Sequence, residues 1–167
     1  MTHFITAPLN NSHAVSAPEI SVLVPVMNEC GNIRPLIDEI CDSFKGRAFE
    51  IIYIDDGSSD GSGAELLNAL QDVAELRVLH HKKRCGQSVA IRTGLLAARA
   101  PLIAVLDGDG QNIPSDLPLL EKALLAARPE KGMVAGVRQG RKDTAAKKIA
   151  SRMARKIRLW LLNDSHP

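Results

Sequence analysis

The feature that most restricts the fold of this chain is the alternation of short apolar runs with longer segments of helical periodicity. Short apolar runs are typical of buried strands, and apolar residues recurring every three or four positions are typical of amphipathic helices. The predicted strands are Ile20–Pro25, Glu50–Ile54, Leu76–Leu79, Leu102–Leu106 and Met133–Ala135. The predicted helices are Asn32–Phe44, Gly61–Val73, Gln87–Arg99, Ser115–Ala127 and Thr144–Leu162. Because short loops join these elements, we predict an α/β fold with a mostly parallel sheet and helices on both faces.

The length and composition are those of one soluble globular domain. The 167 residues are 45% hydrophobic and 24% charged, and no apolar stretch approaches the length of a membrane span. Residues 1–18 have neither a basic start nor an apolar centre, so we expect a flexible polar tail rather than a secretory signal. The remaining residues, 19–167, form the expected domain, and we expect a cytoplasmic location.

The cysteine pattern predicts neither disulfides nor a structural zinc site. Cys30, Cys41 and Cys85 are odd in number and lack the paired spacing of zinc ligands. We interpret them as packed or incidental thiols. His80 and His81 match no metal-pair spacing with another histidine, and we expect them to be solvated loop residues.

An acidic motif follows the fourth predicted strand. The apolar run that ends at Leu106 continues into Asp107, Gly108, Asp109 and Gly110. Residues two apart on an extended strand end point the same way, so Asp107 and Asp109 can share one hard cation such as Mg²⁺ or Mn²⁺. The alternative from these residues alone is a polar turn rich in Asp and Gly.

Further polar residues follow the other predicted strands. Asn28 and Glu29 come after the first strand, and Asp55 and Asp56 after the second. Taken singly, each pair is typical of a turn or a loop. Parallel strands bring them to the same sheet edge as the acidic motif, where clustered carboxylates repel one another unless a cation or donor groups compensate them. Gly86, at the start of the third predicted helix, lets the backbone approach a ligand there.

These ordered motifs resemble those of a known enzyme family. The segments Val24–Glu29, Ile54–Asp60, Gly86–Gly94 and Leu106–Gln111 are similar to the nucleotide-sugar-binding half of family 2 glycosyltransferases with the GT-A fold. Within that family the chain most resembles the polyprenyl-phosphate type, which includes the dolichol-phosphate mannosyltransferases. The resemblance covers roughly Ile20 to the end of the chain. Members of that type usually continue further, so we expect the acceptor part to be incomplete here.

The resemblance implies a role for each motif. The nucleotide-sugar contacts it implies are Pro25, Asn28, Glu29, Asp55, Asp56, Gly86, Asp107, Gly108 and Gln111. Asp107 and Asp109 would hold Mg²⁺ or Mn²⁺ on the donor diphosphate, with Asp109 also counted as catalytic. Arg138 would lie at the phosphates as a catalytic residue, and Lys147 and Ser151 would contact the acceptor phosphate together with it. The implied reaction inverts the configuration at the sugar carbon.

The end of the chain is strongly basic. Between Arg138 and Arg158 there are nine Lys or Arg residues and one acidic residue, although the whole chain carries only +2. Ile149, Met153, Ile157 and Trp160 recur at helical spacing within this segment. Such a helix can lie on an anionic membrane surface, and the alternative is that its apolar stripe covers the sheet. We therefore expect peripheral association with the cytoplasmic membrane face. We expect no nucleic-acid partner, and the sequence does not indicate an oligomeric state.

The leading functional hypothesis is a metal-assisted transfer of a sugar from a nucleotide-diphosphate sugar to a polyprenyl phosphate. A non-catalytic nucleotide-sugar-binding fragment with a membrane-surface helix is the alternative. A sugar-1-phosphate nucleotidyltransferase would need a glycine-rich loop after the first strand, and the segment from Pro25 to Glu29 is not one. A phosphoacceptor receiver domain would need a lysine at the end of a late strand, where this chain has Ala135 and Gly136.

Overall fold

The computed structural model describes residues 2–6, 17–127 and 132–136. The strands are β1 (Thr2–Thr6), β2 (Ile20–Val26), β3 (Phe49–Asp55), β4 (Leu76–His81) and β5 (Leu102–Val105). The helices are α1 (Ile33–Ser43), α2 (Ser62–Ala69), α3 (Gln87–Ala97) and α4 (Leu117–Ala127), with a short 3-10 helix, Pro114–Asp116, before α4.

The strands form one sheet in the order β1-β4-β3-β2-β5. Neighbours among β2, β3, β4 and β5 run parallel, while β1 runs antiparallel to β4. Four of the five predicted strands and four of the five predicted helices are present, with ends that differ by a few residues. The predicted α/β class and the mostly parallel sheet are confirmed. The fifth predicted helix, Thr144–Leu162, lies outside the described residues.

The central strands β2 and β3 are buried on both faces, which explains their continuous apolar runs. Alternate residues such as Val22, Val24 and Tyr53 belong to the core beneath α1 and α2. The residues between them, including Leu23 and Ile52, belong to the core beneath α3. The prediction of helices on both faces is therefore confirmed.

Gly94 lets α3 lie close to the sheet. A β-carbon at this position would come within 2.8 Å of the Ile54 Cδ1 atom and 3.3 Å of a Leu23 methyl group. The close approach brings the N-terminal end of α3 near the ends of β2 and β3, where the cavity described below lies.

The structure differs from the sequence prediction at the N-terminus. Residues 1–18 were expected to form a flexible tail, but Thr2–Thr6 forms a strand that pairs with β4 from Thr2 opposite His81 to Thr6 opposite Arg77. The segment is rich in β-branched and aromatic residues, which favour strands. The free edge of β4 supplies the hydrogen-bonding partner that a sequence pattern does not reveal.

The prediction of a strand at Met133–Ala135 was wrong. These residues belong to neither a helix nor a strand, and Met133 is 79% exposed. A short apolar run becomes a strand only where another strand pairs with it, and within the described part of the chain this run has no strand partner. Ala135 and Gly136 are also exposed.

Candidate active site at the carboxyl edge of the sheet

The loops that carry the acidic motifs meet at one edge of the sheet. Strands β2, β3 and β5 are parallel neighbours, so their carboxyl ends lie side by side. The Asp56 N–H donates to the carbonyl oxygen of Val26 at 2.9 Å, and the Leu106 N–H donates to that of Leu23 at 3.0 Å. These hydrogen bonds hold the loops after β3 and β5 against β2.

A cavity of about 370 Å³ opens between these loops and the start of α3. Open α/β sheets bind their ligands at this position, outside the carboxyl ends of the strands. Its lining combines carboxylate side chains, one guanidinium group and the backbone of two glycines. The lining residues are Pro25, Val26, Met27, Glu29, Asp56, Arg84, Gly86, Gln87, Ala90, Asp107, Gly108 and Asp109.

Asp107 and Asp109 present exposed carboxylates to the cavity, while Gly108 between them is buried. The Gln87 side-chain amide donates to Asp107 Oδ1 at 2.9 Å, which ties the acidic loop to the first residue of α3. The Gln111 N–H donates to Asp109 Oδ1 at 3.0 Å and so closes a turn. Two neighbouring carboxylates facing an open cavity are a donor set that fits Mg²⁺ or Mn²⁺.

Gly108 is required by the packing of the acidic loop. A β-carbon there would clash with a methyl group of Val26, which is a stiff and buried side chain. We expect Gly108→Ala to displace the Asp107–Asp109 loop and to lower the free energy of unfolding by about 1–3 kcal/mol. Denaturant unfolding of Gly108→Ala beside Gly132→Ala measures this, because a β-carbon at Gly132 meets open space. Equal stability of the two variants would contradict the steric role.

The loop after β2 is held by side chains from the loop after β3 and from the first turn of α2. Asn28 adopts a left-handed conformation with φ 59°, and its N–H donates to the Ser58 hydroxyl at 2.9 Å. The next N–H groups donate to Ser62 Oγ, Asp60 Oδ2 and Glu65 Oε2, at 2.9, 3.0 and 2.7 Å. The pKa of Asp60 falls to about 2 because the Ser62 hydroxyl and backbone N–H groups, including that of Cys30, donate to its carboxylate.

Asp55 and Asp56 are both buried, at 1% and 4% exposure, and both carboxylates accept hydrogen bonds within the protein. Asp55 accepts from the Ser58 N–H and faces the His80 ring at 2.9 Å. Asp56 accepts from the N–H groups of Cys85 and Gly86 at 2.8 and 2.7 Å. Asp56 therefore fixes the turn that leads into α3.

The two histidines are not the solvated loop residues that the sequence predicted. Both belong to β4, and His81 is only 5% exposed, with Nδ1 2.8 Å from Asp56 Oδ1. Burial raises the pKa of Asp56, but hydrogen bonds from His81, Cys85 and Gly86 outweigh it and lower the pKa below its usual value. The sequence of β4 lacks a strict apolar–polar alternation, so its pattern did not mark these histidines as part of the strand.

Comparison with known proteins identifies the family. A family model described as Glycosyl transferase family 2 matches residues 21–165, which is most of the chain. The chain belongs to glycosyl transferase family 2. It is 34% identical over 155 residues to a dodecaprenyl-phosphate galacturonate synthase of Rhizobium johnstonii, covering 89% of this chain and 42% of that protein. It is 35% identical over 146 residues to an undecaprenyl-phosphate 4-deoxy-4-formamido-L-arabinose transferase of Salmonella newport, covering 84% of this chain and 43% of that protein.

Solved structures agree on the fold of this family 2 domain. A mannosyltransferase of Pyrobaculum calidifontis, in complex with GDP-Man and Mn²⁺, matches with a TM-score of 0.65 and 24% identity over 80% of this chain and 41% of that chain. A glucosyl-3-phosphoglycerate synthase of Mycobacterium tuberculosis, in complex with UDP, also matches with a TM-score of 0.65 and 24% identity, over 87% and 51% of the two chains. The expected GT-A fold is confirmed. The chain spans less than half the length of the curated relatives named above.

The family 2 domain brings most of the predicted site residues to the cavity. Pro25, Glu29, Asp56, Gly86, Asp107, Gly108 and Asp109 line it. Asn28 and Asp55 belong to the surrounding loops and are engaged with Ser58, Ser59 and His80. Gln111 lies in the turn after Asp109. The predicted acceptor residues Arg138, Lys147 and Ser151 lie outside the described residues.

Sequence reasoning missed two polar residues of the cavity, Arg84 and Gln87. Both flank Gly86, which was singled out, and Gln87 is the first residue of α3. A polar side chain at the first turn of a helix that begins at a ligand site is the signal that could have identified Gln87.

No helix in the described part of the chain has the length and apolar character needed to span a membrane.

Proposed function

We propose that this chain transfers a sugar from a nucleotide-diphosphate sugar to a polyprenyl phosphate, such as dolichyl or undecaprenyl phosphate. The observation that carries the proposal is the cavity in which Asp107 and Asp109 face Arg84 and the start of α3. The named relatives are, by their descriptions, transferases or synthases that act on dodecaprenyl and undecaprenyl phosphates. The cavity supports a nucleotide-sugar donor site, and the descriptions of the relatives support a polyprenyl-phosphate acceptor.

The diphosphate of the donor would lie between the acidic loop and the start of α3. The guanidinium of Arg84 and the positive end of the helix favour an anion there. We assign Asp107 and Asp109 as ligands of Mg²⁺ or Mn²⁺, and a bound ion would neutralise the charge that develops on the departing diphosphate. Gln87 positions the carboxylate of Asp107 through its 2.9 Å hydrogen bond.

The nucleoside would lie across the ends of β2 and β3. Pro25, Glu29 and Asp56 line that side of the cavity, so we assign the base and ribose contacts to them. Asp55 and Asn28 shape the loops that hold these residues in place. Gly86 and Gly108 line the cavity beside these residues.

The acceptor supplies its own nucleophile. A lipid phosphate is already anionic, so positioning and charge stabilisation contribute more than a strong general base. We propose that Arg138, Lys147 and Ser151 contact the acceptor phosphate and that the attack inverts the sugar carbon. The basic segment from Arg138 to Arg158 would meet the anionic cytoplasmic face of the membrane as a peripheral contact. The glycosyltransferase domain would span residues 19–167, and β1 adds an edge strand to its sheet.

Thermal unfolding in the presence of UDP-, GDP- and dTDP-sugars, each with and without Mn²⁺, tests the donor site. A ligand at about one hundred times its dissociation constant stabilises the folded state by about 2.7 kcal/mol. We expect one nucleotide to raise the Tm only when Mn²⁺ is present. No shift with any of these donors would contradict the proposed donor site.

A further inference from the structure

Beside the cavity lies a second group of metal-ligand side chains, separate from Asp107 and Asp109. It consists of Asp56, His81 and Cys85, whose carboxylate oxygen, ring nitrogen and thiol sulfur all lie within 4.8 Å of one another. Asp56 and His81 are buried, and Cys85 is exposed. Among the described residues this is the only such group of three or more His, Cys, Asp or Glu side chains.

The hydrogen bonds of His81 direct one ring nitrogen into this group. The Thr93 hydroxyl donates its single hydrogen to the carbonyl oxygen of Val89 at 3.0 Å, so its oxygen is left to accept from His81 Nε2–H, also at 3.0 Å. Nδ1 faces Asp56 Oδ1 at 2.8 Å, and the hydrogen bond between these two atoms carries the proton that a metal ion would replace. Metal-ligating histidines are typically held in this way, by a hydrogen bond from the other ring nitrogen.

We propose that Asp56, His81 and Cys85 form a Zn²⁺ site. A thiolate, an imidazole and a carboxylate together favour Zn²⁺ over Mg²⁺ or Mn²⁺, and tetrahedral coordination leaves a fourth position for water. The ion displaces the proton between His81 and Asp56, and both this proton and the proton of the Cys85 thiol are released to solvent. The negative charges of the Asp56 carboxylate and the Cys85 thiolate together balance the charge of the ion.

The site would connect three segments of the fold. Asp56 follows β3, His81 ends β4, and Cys85 belongs to the turn before α3. An ion that binds the folded chain and not the unfolded chain stabilises it, so we expect Zn²⁺ to raise the Tm. The site shares Asp56 with the proposed nucleoside contacts, but its test uses the metal alone, so the result does not depend on donor binding.

Titration of the reduced full chain with Co²⁺, as a spectroscopic substitute for Zn²⁺, tests the site. We expect a saturable thiolate-to-cobalt absorption band that Zn²⁺ abolishes. Cys85→Ser should lose the band, whereas Cys30→Ser, which alters another exposed cysteine, should keep it. A band that persists in Cys85→Ser, or no band in the wild type, would overturn the proposal.

A second variant tests the orientation of His81. Thr93→Val removes the acceptor of the Nε2–H hydrogen bond and leaves all three ligands in place. We expect the affinity for Co²⁺ to fall about 10- to 100-fold while the band keeps its shape. Circular dichroism confirms that the variant is folded. A wild-type affinity in folded Thr93→Val would contradict His81 Nδ1 as a ligand.

Discussion

Replacing Asp109 with Asn is expected to abolish metal-dependent binding of the nucleotide sugar and to leave the fold intact. The Asp109 carboxylate is exposed at the cavity and supplies a negative charge that a divalent ion needs. Asn has the same shape and its side-chain oxygen can still accept the hydrogen bond from the Gln111 N–H. The change therefore removes charge without removing the turn. The Mn²⁺-dependent rise in Tm with the preferred donor is the measurement.

Asp116→Asn is the matched control for this variant. Asp116 is another exposed carboxylate a short distance along the chain, and it does not line the cavity. It should therefore keep the full Mn²⁺-dependent shift. If the donor affinity of Asp109→Asn with Mn²⁺ present is unchanged, Asp109 is not a ligand of the metal ion.

The central sheet could be predicted because its strands carry their own signal. The runs from Ile20 and Glu50 are apolar on both faces, which is what a parallel strand between two helical layers requires. Asp107 and Asp109 could be predicted to lie at the same edge as Asp56, because parallel neighbours end together. These inferences need only periodicity and topology.

The remaining features depend on contacts between distant segments. Nothing in Thr2–Thr6 specifies that the free edge of β4 is its partner, and Met133–Ala135 has an apolar run without a partner among the described residues. The environment of His81 likewise depends on Asp56 and Thr93, which lie 25 and 12 residues away. A spacing rule applied to the histidines and cysteines alone misses this group.

The second large effect is expected at an ion pair near the amino-terminal ends of β3 and β4, in which Glu50 is buried and Arg77 is partly buried. Arg77 donates to Glu50 Oε2 at 2.7 Å and to the carbonyl oxygen of Ala97 at 2.8 Å. Glu50 is 4% exposed and also accepts from the Ser21 hydroxyl and the Arg99 N–H, each at 2.7 Å. Burial raises the pKa of Glu50, but the hydrogen bonds from Ser21, Arg77 and Arg99 outweigh it and lower the pKa.

Arg77→Met is therefore expected to lower the free energy of unfolding by about 3–5 kcal/mol, because it leaves the charge of Glu50 buried without its cation. Urea unfolding measures the change. Arg34→Met is the control, since Arg34 is exposed and pairs with Asp38 and Asp72 at the surface, where loss of the pairs should cost at most about 1 kcal/mol. The double variant Glu50→Gln with Arg77→Met should recover part of the loss, because no charge remains buried. Equal losses in Arg77→Met and Arg34→Met would show that the buried pair contributes no more than a surface pair.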